Sequence, residues 1–162
     1  MSDARWVDVE DDISSSVQHF SRSVEIFERN GFMGDDLSAY MARMALMQAI
    51  QSGYTSLEAG LERILEILGE EKPTGGANYH SDLLRRVSRE IEGNRPAIPS
   101  GPLAEAVDEA RRFRHVARRA YDSFRIDGAA SAVRSAAIIR DELPEAIGRF
   151  KMIMDGNANP AE

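Results

Sequence analysis

The stretch MALMQAIQSGYTSLEAGLERILEIL, residues 44–68, decides the fold class. Met44, Met47, Ile50, Tyr54, Leu57, Leu61, Ile64, Leu65 and Leu68 recur at steps of three and four. That is the period of one face of an α-helix, not the alternation of a strand. The pattern predicts a helix over about 36–70, ending at or just after Gly69. Gly53 and Gly60 lie inside it, and each costs about 1 kcal/mol against alanine. Glycines there predict close helix packing or a bend.

Working outward, the same period recurs and no convincing run of alternating β-branched residues appears. Ile13, Val17, Phe20, Val24 and Phe27 predict a first helix over about 11–30, stopped at Asn30-Gly31 by the left-handed preference of those residues. Leu83, Leu84, Val87 and Ile91 predict a third over about 79–92. A proline-rich connection follows, with Ser100 as a cap and Pro102 in the first turn of a fourth helix that runs to about 125. Asp127-Gly128 is expected to break it, and a fifth helix is expected over about 129–154, bent at Pro144. The expected organisation is an N-terminal tail at 1–10, a single helical domain at 11–154 and a disordered tail at 155–162. The fold class is all-α, with about five helices.

The chain has 162 residues, enough to bury a core without staples. It has no cysteine, which excludes disulfides, thiolate metal sites and a cysteine nucleophile. No apolar run reaches the roughly 20 residues of a membrane helix, and the N-terminus lacks a signal-peptide core, so a cytoplasmic protein with no membrane contact is expected. Its three histidines, His19, His80 and His115, are far apart in sequence and predict no metal site. There is no phosphate loop, dinucleotide fingerprint or nucleophile elbow, and no cofactor is expected. His80 reads most simply as a packing or capping residue. Met33, Met41, Met44, Met47, Met152 and Met154 read as core or interface fillers. Asp8-Val-Glu-Asp-Asp12 reads as a solvated acidic helix start.

Net charge is −7, which argues against a general nucleic-acid coat. Yet residues 111–125 hold six arginines, Arg111, Arg112, Arg114, Arg118, Arg119 and Arg125, against one acid, Asp122. Only Lys72 and Lys151 among the basic residues are lysines. The arginine fork matches phosphate geometry, so a basic spot on an acidic body points to a local anionic ligand. Rotation by about 100° per residue puts Phe113, Val116, Ala117, Ala120 and Phe124 on one arc of this helix. It puts Arg111, Arg114, Arg118, Tyr121 and Arg125 on the other. Arginines one turn apart repel by a few tenths of a kcal/mol. Compensation is expected from acids on neighbouring helices, Glu58 and Glu62 among them, or from an anionic ligand. The plainer reading is a solvated, salt-bridged face.

At these residues the chain resembles HEPN-domain proteins of the HepT-like toxin family. Phe113-Arg-His-Val-Ala-Arg-Arg-Ala-Tyr121 is similar to that family's Arg-x4-His-x-Tyr segment. Tyr54-Thr-Ser-Leu-Glu58 resembles its Tyr-x3-Glu segment, Tyr79-His-Ser-Asp-Leu-Leu84 its Trp-His-x2-Leu-Leu segment, and Arg95-Pro-Ala-Ile98 its Arg-Pro loop. Order and spacing agree over roughly residues 10–150. The resemblance implies a helical bundle that forms a homodimer, with the motif helices lining a shared cleft. It implies a metal-independent endoribonuclease toxin with an RNA substrate. It also implies a minimal nucleotidyltransferase antitoxin that silences the toxin by adding AMP to the motif tyrosine, here Tyr121.

Carried over by position, Arg114 and Arg119 are catalytic candidates that hold phosphate, and His115 assists. Arg111, Arg118 and Arg125 are candidate contacts to RNA phosphate. One departure stands out: Arg119 occupies the position of the motif histidine. Arginine stays protonated and takes no part in acid–base chemistry, although it stabilises developing negative charge. Three readings stay open. The chain is a catalytically impaired relative that binds RNA, nucleotide or a protein partner; or it uses His115, whose imidazole suits acid–base work near neutral pH; or the histidine was deliberately replaced.

Overall fold

The computed structural model describes residues 4–119 and 125–158, with the side chains of residues 118, 119, 157 and 158 outside the description. Within them the chain forms five α-helices, as the apolar periods predict: α1 (Arg5–Glu28), α2 (Leu37–Leu68), α3 (Tyr79–Val87), α4 (Gly101–Arg119) and α5 (Ile126–Ala158). No strand occurs among the described residues; Ile91 and Arg95 form an isolated bridge.

Local chemistry sets the ends of α2. The Asp36 carboxylate accepts the backbone N–H of Ala39 at 2.9 Å, capping the first turn. Gly69 takes the left-handed conformation at φ 69°, and the N–H of Glu70 returns to the Leu65 carbonyl at 2.9 Å. Asn30, at φ 49°, plays the corresponding part after α1.

Helices α1, α2, α4 and α5 close into a ring, α1 against α2 and α5, and α4 against α5 and α2, with short α3 against α4. The α1–α2 pair is antiparallel and tight. A Cβ on Gly53 would stand 3.0 Å from the Phe20 ring, and one on Gly60 would stand 3.0 Å from Ile13 Cδ1. The Ser16 hydroxyl donates to the Gly53 carbonyl at 2.7 Å. The two glycines therefore serve close packing. The core between the four long helices includes Phe20, Ile50, Leu57, Ile64, Val107, Ile139 and Phe150.

Several boundaries differ from the sequence expectation. The first helix begins at Arg5, not near 11, because Trp6 and Val9 are buried. The Trp6 ring lies 6.5 Å from that of Phe150, and Lys151 covers it at 5.8 Å. The acidic start is tied down as well: Asp12 accepts from Arg63 Nε at 2.7 Å and Glu10 from Lys151 at 2.9 Å.

Helix α3 stops at Val87, and Ile91 is exposed, because Arg95 takes over the carbonyls that would continue the helix. Its guanidinium donates to the Arg86, Arg89 and Pro96 carbonyls and grips Glu70 through both carboxylate oxygens, at 2.5 and 3.0 Å. Asp127 and Gly128 lie in the first turn of α5 rather than between helices, and α5 passes through Pro144 to Ala158. Met33, Met41 and Met152 are exposed, while Met47 is buried.

Candidate functional site

Helix α4 lies in the bundle by a stripe of Leu103, Ala106, Val107, Ala110 and Ala117, all buried. Those spacings carry Arg114 into the stripe, one turn beyond Ala110 and three residues short of Ala117. The outward face expected for Arg114 is corrected: its side chain turns inward to α2. The guanidinium carbon stands 5.5 Å from the centroid of the Tyr54 ring. Its Nε is buried without a hydrogen-bond partner among the described residues. Val116, expected on the core arc, is exposed instead.

Beneath Arg114 lies a polar cluster set in apolar surroundings. Tyr54 and Glu58 are one turn apart on the buried face of α2. The Tyr54 hydroxyl donates to Glu58 Oε2 at 3.1 Å. His80, in the first turn of α3, brings Nδ1 to 2.7 Å from the same oxygen. The imidazole is flanked by the rings of Tyr54 and Tyr79, with centroids at 6.5 and 5.7 Å and edge-on geometry. Burial pushes the Tyr54 hydroxyl far above its ordinary range, and the Glu58 charge adds to that, against the opposing pull of Arg111 and Arg114. Tyr54 therefore stays a donor.

Glu58 is an acceptor of two donors here, not the expected partner of an α4 arginine. Glu62 lies 3.9 Å from Lys72. The arginines are compensated from their own helix. Arg111 pairs with Asp108 at 2.8 Å, and Arg112 reaches Asp108 at 3.3 Å and Glu109 at 3.1 Å. Ser131 on α5 donates to Glu109 at 2.9 Å and steadies that carboxylate. Part of the basic face is thus salt-bridged, and Arg111 is less available to a ligand than the sequence suggests.

A cleft of 490 Å³ opens over this arrangement. Asn78, His80 and Ser81 form one wall; Arg111, Arg112, Arg114, His115 and Val116 form the other. A larger hollow of 810 Å³, between the 90–96 turn and the end of α5, has its one arginine, Arg95, committed to Glu70. The smaller cleft is the place where cations, an imidazole held by a carboxylate and a second, exposed imidazole meet.

Of the residues singled out from sequence, Arg111, Arg114 and His115 come together at the cleft. Arg125 is exposed just ahead of α5 and is not among the cleft residues. The backbone of Arg118 and Arg119 continues α4, but their side chains lie outside the described residues, as does Tyr121 altogether. Sequence reasoning passed over Tyr54, Glu58 and His80 as site residues. The available signal was a carboxylate at a core-facing position of α2, which a helix does not bury without a partner. No group of three or more possible ligands is placed to hold a metal ion among the described residues, and no described helix is long and apolar enough to cross a membrane.

A family model described as HepT-like protein matches residues 45–154, which covers most of α2 and all of α3 and α4. No curated protein and no solved structure matches the chain.

Proposed function

The chain belongs to the HepT-like family and has the all-α bundle of a HEPN-type protein, and on that premise we propose that it is the toxin subunit of a toxin–antitoxin pair. It acts as a metal-independent endoribonuclease, as a homodimer in which the α4 helices line a shared cleft. Arg114 carries this reading. It lines the cleft beside His115 and across from His80, and a guanidinium at that wall offers a phosphate charge-assisted hydrogen bonds. Arg119 joins it at the phosphate, His115 assists, and Arg111, Arg118 and Arg125 steer the RNA backbone.

Control comes from a minimal nucleotidyltransferase that adds AMP to Tyr121. A phosphate and a nucleoside placed among the arginines cancel cationic charge and block RNA entry. The test supplies such an enzyme and ATP. A mass gain of one AMP on Tyr121, together with loss of RNA cleavage, is expected. An unmodified Tyr121, or cleavage that survives modification, would count against the proposal.

The second reading is a helical module that binds RNA, nucleotide or a protein partner without cutting. Arg119, which occupies the acid–base position of the motif, is the observation in its favour.

A further inference from the structure

Resting on the ribonuclease reading above, we propose that His80 supplies the acid–base chemistry that Arg119 lacks, with Glu58 as its positioning residue. The inference begins with Glu58 Oε2. A carboxylate oxygen only accepts, and this one receives the Tyr54 hydroxyl at 3.1 Å and His80 Nδ1 at 2.7 Å. The hydrogen therefore sits on Nδ1, and in the neutral ring Nε2 keeps its lone pair. A carboxylate that fixes a neutral imidazole in this tautomer prepares the other nitrogen to take a proton and then stabilises the imidazolium that forms.

Burial makes the arrangement firm. Glu58 is buried, whereas the His80 side chain is 39% exposed and borders the cleft. The ring is thus held from below and open from above. Ser81, beside it, spends its hydroxyl on the Asn78 carbonyl at 3.0 Å and does not compete for the role. Arg114 stands over Tyr54 on the opposite wall, so the phosphate-binding cation and the imidazole share one floor.

Four groups set the electrostatics at His80 from its own side: Tyr54 and Glu58 on α2, Tyr79 on α3 and, through Tyr79, Glu62. Across the cleft stand Arg111, Arg112, Arg114 and His115 on α4. One carboxylate is in direct contact with the ring, and the cations face it through the cleft.

In the reaction, Nε2 of His80 accepts the proton of an RNA 2′-hydroxyl. The 2′-oxygen forms a bond to the adjacent phosphorus, and the bond from phosphorus to the 5′-oxygen breaks. That oxygen leaves with the bonding electrons and takes a proton from water. The charge on the phosphorane oxygens falls to Arg114. The products are a 2′,3′-cyclic phosphate and a 5′-hydroxyl, and no metal or redox partner enters.

The test joins RNA cleavage to imidazole nitrogen NMR on the full chain. Cleavage of a single-stranded RNA is followed between about pH 5 and about pH 9, where imidazole titrates. The unaltered chain is expected to gain activity as the imidazole loses its proton. His80→Gln is expected to lose about 10²- to 10⁴-fold in kcat, with KM little changed and the pH-dependent limb removed. Glu58→Gln is expected to shift that limb, which a merely structural carboxylate would not do. Retention of rate and pH profile by His80→Gln overturns the inference and leaves the ribonuclease reading intact.

If the unaltered chain cuts no RNA, the ribonuclease reading fails and the spectrum still decides the geometry. Nε2 of His80 is expected to be the nitrogen without a proton in the neutral ring and to shift when uridine 3′-monophosphate is added. A protonated Nε2 in the neutral ring, or a signal unmoved by the nucleotide, overturns the inference.

Discussion

The guanidinium of Arg114 stands over the ring of Tyr54, 5.5 Å from its centroid, and buries its Nε with no acceptor among the described residues. The ring contact returns about 0.5–2 kcal/mol, and the unmet donor costs about 1–3 kcal/mol. The two nearly cancel. Arg114→Ala is therefore expected to change stability by less than about 1 kcal/mol. RNA affinity should fall about tenfold, and the salt dependence of binding should weaken by about one phosphate contact. Urea unfolding and binding titrations at several salt concentrations check both halves. A large stability loss with unchanged affinity would make Arg114 a structural residue.

Arg95 presents the opposite case. Its side chain is fully buried and fully used, by the Glu70 carboxylate and three backbone carbonyls. Removing one partner of a buried pair costs about 3–5 kcal/mol. Arg95→Ala is expected to cost that much and to fray the chain after Val87. Arg95→Lys is expected to recover little, because an ammonium cannot span these acceptors. Denaturant midpoints compare the two.

Gly53 tests the α1–α2 contact. Alanine there is worth about 1 kcal/mol in helix propensity, but its Cβ would meet three atoms of the fully buried Phe20 ring at 3.0–3.1 Å. Overpacking costs about 1–3 kcal/mol, so Gly53→Ala should be net destabilising. At Gly60 the 3.0 Å neighbour is the tip of Ile13, which can turn aside, and Gly60→Ala should cost less. Thermal melts of the two variants reveal the order.

Tyr54 gives a pH signature. Its ordinary pKa is 10.0, and in the folded chain burial and Glu58 hold the proton well beyond that. Below pH 10 both states keep the proton, so Tyr54 adds no pH dependence. As pH rises above 10 the unfolded chain releases it first, so stability falls, by about 1.4 kcal/mol per pH unit for this group. Tyr54→Phe should flatten that fall. Urea unfolding at alkaline pH would show it.

Much of the fold is legible from local chemistry. Helix α2 is readable end to end because Asp36, Gly69 and an unbroken apolar stripe act within a few residues of one another. The start of α1 is missed by the sequence expectation: Trp6 and Val9 continue the stripe of Ile13, but the acids between them disguise it. The end of α3 is not, because the guanidinium that terminates it arrives from Arg95. On α4, projecting only residues 113–124 turns Arg114 outward. Starting the projection at Leu103 puts Arg114 among Val107, Ala110 and Ala117, where the structure has it. The contact of His80 with Glu58 joins positions 22 apart on different helices, so sequence offers the buried carboxylate but not its partner.

The most direct measurement is cleavage of single-stranded RNA, with EDTA present, by the chain as it stands and by an Arg119→His variant. A site that takes its acid–base chemistry from His80 and its phosphate binding from Arg114 cuts in both forms, with a histidine at 119 adding to an existing rate. Cleavage only by the histidine variant would mark the native site as disabled. Cleavage by neither would contradict the ribonuclease reading and leave a module that binds without cutting.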